Sequence, residues 1–139
     1  MRNGLNGVAD KLKAEAIRYF HNAQGTVRKS KIVRGRFYQD TKYVVEASGT
    51  LWIAILKAIR AYLLTHGVAE RSLPNSKEAY SSALKEHSTH NGKLLATFED
   101  LYHIVHLDGY YRGVSVVENL KEGFQRARQL IEILTDKKI

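Results

Sequence analysis

Apolar residues cover nearly the whole circumference of one long stretch, and this constrains the fold more than any other feature of the chain. Val44, Ala47, Leu51, Ile55, Ala58 and Tyr62 recur at steps of three and four, with Trp52, Ile53, Leu56, Ile59 and Leu63 filling the sides. Such steps stack side chains on one helical face. A helix that is apolar on most sides has to be enclosed by neighbours. Residues 37–65 are therefore predicted as the central helix of a bundle, closed by His66-Gly67. Gly49 lets a neighbouring backbone come close.

Four further segments supply the enclosure. Over residues 6–30, Leu5, Val8, Leu12, Ala16, Tyr19, Ala23 and Val27 form one helical stripe, which Gly25 weakens near its end. A basic connector, Lys31 to Arg36, follows, and Gly35 is suited to the left-handed turn that ends a helix. After the lone Pro74, Asn75 and Glu78 resemble a capping box opening a short polar helix to His90, with Tyr80, Ala83, Leu84 and His87 inward. Asn91-Gly92 breaks the chain. A fourth helix is predicted over residues 93–107, with Leu94, Leu95, Phe98, Leu101, Tyr102 and Val105 inward and a turn at Asp108-Gly109. Ser115 and Glu118 give a second capping signature. The last helix then carries Val117, Leu120, Phe124, Ala127, Ile131 and Leu134 as a seam for an antiparallel neighbour.

No stretch alternates with period two, so no β-sheet is expected. The predicted fold is all-α: an antiparallel up-and-down four-helix bundle with a short accessory helix. At 139 residues, the chain fits a single domain over residues 1–139. Its N-terminal residues lack the apolar run of a secretory signal. The most apolar segment, residues 51–64, is interrupted by Lys57 and Arg60 and falls short of the ~20 residues that cross a bilayer. A cytoplasmic protein without a membrane span is expected. Cysteine is absent, which excludes disulfides, thiolate metal sites and cysteine nucleophiles.

The formal charge of +8 is unevenly placed. Residues 1–42 hold ten Lys or Arg against three acids, while residues 43–139 hold twelve against eleven. Concentrated positive charge favours an acidic partner, whether nucleic acid, anionic surface or acidic protein. Arg28, Lys29, Lys31, Arg34, Arg36 and Lys42 are the candidate phosphate contacts, with Tyr38 as a candidate stacking ring.

Other chemistry has less behind it. His87 and His90 lie three apart, as do His103 and His106, and Glu99 and Asp100 precede His103 at helical spacing. A buried metal site needs such ligands to converge from facing helices. Glu118, Glu122 and Glu132 on the last helix have no matching histidine, so no metal site and no cofactor are expected. No serine sits in a nucleophile elbow, and no strand precedes a glycine-rich loop. No catalytic residue is assigned.

Three runs carry a family resemblance: Tyr19-Phe20-His21-Asn22-Ala23, the connector Gly35-Arg36-Phe37-Tyr38, and Tyr43-Val44-Val45-Glu46-Ala47 leading to Trp52 and Ala54. Together they resemble the HEPN (higher eukaryotes and prokaryotes nucleotide-binding) superfamily. Its members begin with two long antiparallel helices joined near a glycine and an aromatic residue. The chain is also similar to small bacterial bundle proteins of like length, from which no activity carries over. Many HEPN nucleases place a histidine shortly after an arginine late in the bundle. Here that spacing occurs once, Arg60 to His66, at the end of the second helix. The resemblance thus implies the fold and argues against ribonuclease activity. The leading expectation is a non-enzymatic interaction domain that self-associates, with the last helix and Tyr110-Tyr111 as contact surfaces. The alternative is an HEPN-like nucleotide- or RNA-binding protein using the basic connector.

Overall fold

A computed structural model describes residues 2–88 and 92–139, with residues 2–6 described by backbone alone. The side chain of Leu5, the pairing of His87 with His90, and the chain break at Asn91 lie outside the described residues. The elements are α1 (Arg2–Val27), β1 (Ile32–Val33), β2 (Phe37–Tyr38), α2 (Thr41–Thr65), a single 3-10 turn (Glu70–Ser72), α3 (Lys77–His87), α4 (Lys93–Leu101), a π-helical segment (Tyr102–Tyr111) and α5 (Val117–Thr135). The all-α bundle is as expected. Four long rods, α1, α2, α4 with its π-helical continuation, and α5, pack around one core, and α3 is the accessory element.

The core follows the apolar spacing. Thirteen residues of α2 are buried, including all six of its stripe. Although α2 is long and apolar enough to cross a membrane, two-thirds of its most apolar stretch is buried inside the bundle, the position of a core helix. Lys57 and Arg60, which interrupt the most apolar stretch, sit within this 25-residue helix and turn to its neighbours. Lys57 pairs with Glu15 of α1 at 3.1 Å, and the Arg60 guanidinium donates to the Pro74 carbonyl at 2.7 Å. From α1, Ala16, Phe20, Ala23 and Val27 reach the interior, while Tyr19 packs at its margin. From α5, Leu120, Ala127, Ile131 and Leu134 do so, and Phe124 is partly covered.

Three expectations need correction. First, a small antiparallel hairpin replaces the expected irregular connector, with Ile32 paired to Tyr38 and Val33 to Phe37. Strands of two residues are too short to show alternation in sequence. Arg34 and Gly35 both take positive φ (55° and 65°), and the Arg36 N–H closes on the Val33 carbonyl at 3.1 Å. These are the marks of a type I′ turn. The hairpin claims Phe37 and Tyr38, so α2 begins only at Thr41, and α1 ends at Val27, short of Ser30. The Ser30 hydroxyl accepts from the Asp40 N–H at 3.0 Å, tying the two helix ends together.

Second, both capping signatures are misplaced. Ser76, one residue after Asn75, caps α3 by accepting from the Ala79 N–H at 3.1 Å. Ser115 does not cap α5. Its hydroxyl donates to the Gly113 carbonyl at 3.0 Å and lies 3.1 Å from the Thr41 hydroxyl. The Val117 N–H, at the start of α5, donates instead to the Arg36 carbonyl of the hairpin at 2.9 Å.

Third, no turn forms at Asp108-Gly109. The helix widens at Tyr102 and runs on as a π-helix to Tyr111, and the chain turns at Gly113 (φ 64°). Gly109 is there for close approach: a Cβ on it would overlap the Ser48 hydroxyl of α2.

Candidate nucleic-acid interface

The hairpin gathers the cations picked out in the sequence at one end of the bundle. Arg28 and Lys29 follow the last turn of α1, Lys31 leads into β1, Arg34 and Arg36 form the turn, and Lys42 sits in the first turn of α2. All six side chains are exposed. Among the described residues none of the six stands in an ion pair. Two are ordered by an aromatic ring: the Lys42 and Lys29 ammonium groups stand 4.9 and 6.0 Å from the centre of Tyr43. Cations so placed share attraction from the ring quadrupole while their charge stays open to solvent.

The hairpin is held from one side only. Along the outer edge of β2, the Tyr38 N–H donates to the Ser115 carbonyl at 2.8 Å, and Phe37 bridges Val116 in antiparallel fashion. At the open end of the hairpin, the Gln39 N–H donates to the Lys31 carbonyl at 2.8 Å, closing the two arms on each other. The lead-in to α5 thus adds a third backbone to the hairpin and fixes its tilt. Among the described residues no third strand covers β1, and Ile32, Val33 and Phe37 are 52%, 39% and 41% exposed.

Neighbouring residues on a strand point to opposite faces. Tyr38 turns inward and packs against a satellite core of Val27, Val44, Ala47 and Leu120. That burial pushes its phenol above the ordinary pKa. Phe37, its neighbour, presents an exposed ring beside Arg34 and Arg36. Of the seven residues singled out in the sequence, six stand on the open surface and Tyr38 supports it from below. Phe37, with Ile32, went unrecognised as surface because a two-residue strand gives no period to read.

Elsewhere, the pairs with catalytic or metal-like spacing are separated or engaged. Six residues along a helix turn through about 600°, so Arg60 and His66 leave α2 in different directions. Arg60 is bound to the Pro74 carbonyl, with the Tyr80 hydroxyl 3.5 Å away, while His66 lies over Tyr62 at 3.9 Å with Nδ1 2.8 Å from the Tyr62 carbonyl. Glu99 and Asp100, the acids preceding His103, are held by Lys77 at 2.6 Å and Arg126 at 2.7 Å. The Lys77 hydrogen bond, with a second from Ser81 and against the opposing effect of burial, keeps the Glu99 carboxyl below its ordinary pKa. Among the described residues no three His, Asp or Glu side chains converge as a metal-binding group.

Fold and site together define a small helical-bundle protein with a clasped, cation-rich hairpin joining its first two helices. The chain belongs to the DUF5618 family, described as a domain of unknown function, whose profile matches residues 11–136. A solved structure of a protein of unknown function from Dyadobacter fermentans is similar to it throughout, with 32% identity and a TM-score of 0.75 over 92% of this chain and 96% of that one. No curated protein matches.

Proposed function

We propose that this DUF5618 protein is a non-enzymatic, HEPN-like binding module that docks single-stranded RNA on its basic hairpin. The observation carrying this reading is six exposed cations, none in an ion pair among the described residues, on and beside the hairpin that carries the exposed ring of Phe37. Guanidinium and ammonium groups displace counterions condensed on phosphates, and an exposed aromatic ring accepts a base on its face without demanding sequence. The hairpin is small and projects from a rigid bundle, which suits a flexible strand better than the groove of a duplex.

Filter binding of a short RNA across a salt series tests the reading. Affinity is expected to fall with salt, by about 0.7 in the log–log slope for each phosphate neutralised on a single strand. The double variant Arg34→Ala with Arg36→Ala flattens that slope by about 1.4. Retention that ignores salt, or that survives the double change intact, removes the proposal.

Self-association is a second reading. Tyr111, 78% exposed at the end of the π-helical segment, and Ile133, 52% exposed on the outer face of α5, support it as apolar side chains open to a second copy. Light scattering that gives a strict monomer at high micromolar concentration would remove it.

A further inference from the structure

Between α2 and the π-helical segment lies a groove of about 430 Å³, whose lining includes none of the six cations at the hairpin. Val45, Gly49, Trp52 and Ile53 form one wall, and His106 and Tyr110 the other. A hollow of about 220 Å³ adjoins it, and Trp52 and His106 line both. The larger volume falls within the roughly 300–1,000 Å³ typical of small-ligand sites, and its walls are mostly apolar and aromatic, as such sites are.

The backbone of this wall is unusual. π-helical turns occur mostly singly and gather at functional sites, yet this segment runs for ten residues. Its wide turns align three rings into one stack: Tyr102 on His106 at 5.4 Å and 25°, then His106 on Tyr110 at 5.7 Å and 17°. Trp52 meets His106 from α2 at 5.4 Å. Tyr110 lies close across α2 at Gly49, where a Cβ would stand 3.0 Å from the ring and press it outward. The arrangement has a cost, since the fully buried Ser48 hydroxyl facing Gly109 has no hydrogen-bond partner.

The charge of the groove is opposite to that of the chain. Its one carboxylate, Glu46, is exposed and, among the described residues, forms no ion pair and no side-chain hydrogen bond, in a protein of net charge +8. The His106 ring nitrogens likewise have no hydrogen-bond partner among the described residues. We propose that this groove is a binding site for a small organic cation, an amine or quaternary ammonium carried on an apolar or aromatic body. Glu46 takes the charge and the Trp52, His106 and Tyr110 rings take the body. Aromatic walls beside a free carboxylate favour a cation by electrostatics on both counts. The same carboxylate repels phosphates, so the site is separate from the RNA-docking reading.

Trp52 is the only tryptophan, so emission excited selectively from tryptophan reports on the ring that walls this groove and its adjoining hollow. Phenethylamine is titrated into the protein, with phenylacetate as the isosteric anion. Saturable change in Trp52 emission is expected with the amine and not with the anion. Glu46→Gln, an exposed position that leaves the fold intact, is expected to weaken the amine about three- to fivefold, the scale of one solvent-accessible charge pair. Arg34→Ala with Arg36→Ala binds the amine as the wild type does, even where RNA retention is lost. Three results would overturn the assignment: no saturable change, equal response to amine and anion, or a Glu46→Gln variant that binds the amine unchanged. Emission that shifts on diluting the protein instead of on adding amine would place a second copy in the groove, and would equally overturn it.

Discussion

Ser48 of α2 and Gly109 of the π-helical segment touch so closely that the Ser48 side chain occupies the space a Cβ on Gly109 would take. Both are fully or nearly fully buried, and the Ser48 hydroxyl finds no partner there. The two changes at this contact have opposite signs. Gly109→Ala forces a methyl group into a packed interface and is expected to cost about 1–3 kcal/mol. Ser48→Ala removes a buried, unsatisfied hydroxyl, so its stability is expected to equal or exceed that of the wild type. Urea midpoints measure both. A Ser48→Ala variant less stable than Gly109→Ala would show that the contact is misread.

At the hairpin tip, stability and binding are set against each other in one residue. Arg34 holds φ at 55°, a conformation that costs an ordinary L-residue about 1–2 kcal/mol and that asparagine tolerates well. Arg34→Asn is expected to raise the thermal midpoint slightly while lowering RNA retention at low salt. A fall in both would mean that the arginine side chain stabilises the turn.

Arg60 is expected to matter for folding, not for chemistry. Arg60→Ala removes the hydrogen bonds to the Pro74 carbonyl and the Tyr80 hydroxyl, which anchor the link into α3. Loss of a charged donor of this sort costs about 1–3 kcal/mol. His66→Ala loses only its stacking on Tyr62 and a contact at the helix end, so its effect is expected to be smaller. Differential scanning calorimetry separates the two. RNA that is cleaved by the wild type and spared by both variants would restore the nuclease reading.

Acid weakens one inter-helix tie before the fold as a whole. The Lys77 hydrogen bond is the largest influence lowering the Glu99 pKa, followed on the same side by the Ser81 hydroxyl, the Lys77 charge and His103. A carboxyl lowered on folding contributes stability that is present above its unfolded pKa and drains away as pH falls through the lower folded one. The wild type is therefore expected to lose this contribution at and below the ordinary carboxylate range. Glu99→Gln lacks it at neutral pH and shows a flatter acid limb. Chemical denaturation at neutral and acidic pH makes the comparison, and parallel curves would rule out the tie.

How far the sequence could be read depended on how local each determinant was. The α2 stripe is a local signal, and every one of its six members is buried. On α1 the periodic reading chose Tyr19, while Phe20 beside it occupies the centre, because Phe124 and Arg128 of α5 close over its ring. Asp108-Gly109 reads as a turn from residue type alone. Its true role is set by Ser48, on another helix and far away in sequence. The clustering of cations was legible from composition. Which of Phe37 and Tyr38 faces solvent was not, because that choice rests on a hairpin whose type I′ turn uses arginine where asparagine is the familiar sign. Ser115 failed as a cap because the hairpin takes over the backbone at the start of α5, a partner no local pattern announces.

The Phe37–Val116 bridge sets an order of events during synthesis. The hairpin is fastened by a segment translated long after it, and contacts across so long a separation demand loop closure before they contribute anything. A nascent chain whose α5 is still inside the ribosome therefore carries the arginines without the clasp that fixes their tilt. The hairpin's final orientation waits for the last helix to arrive.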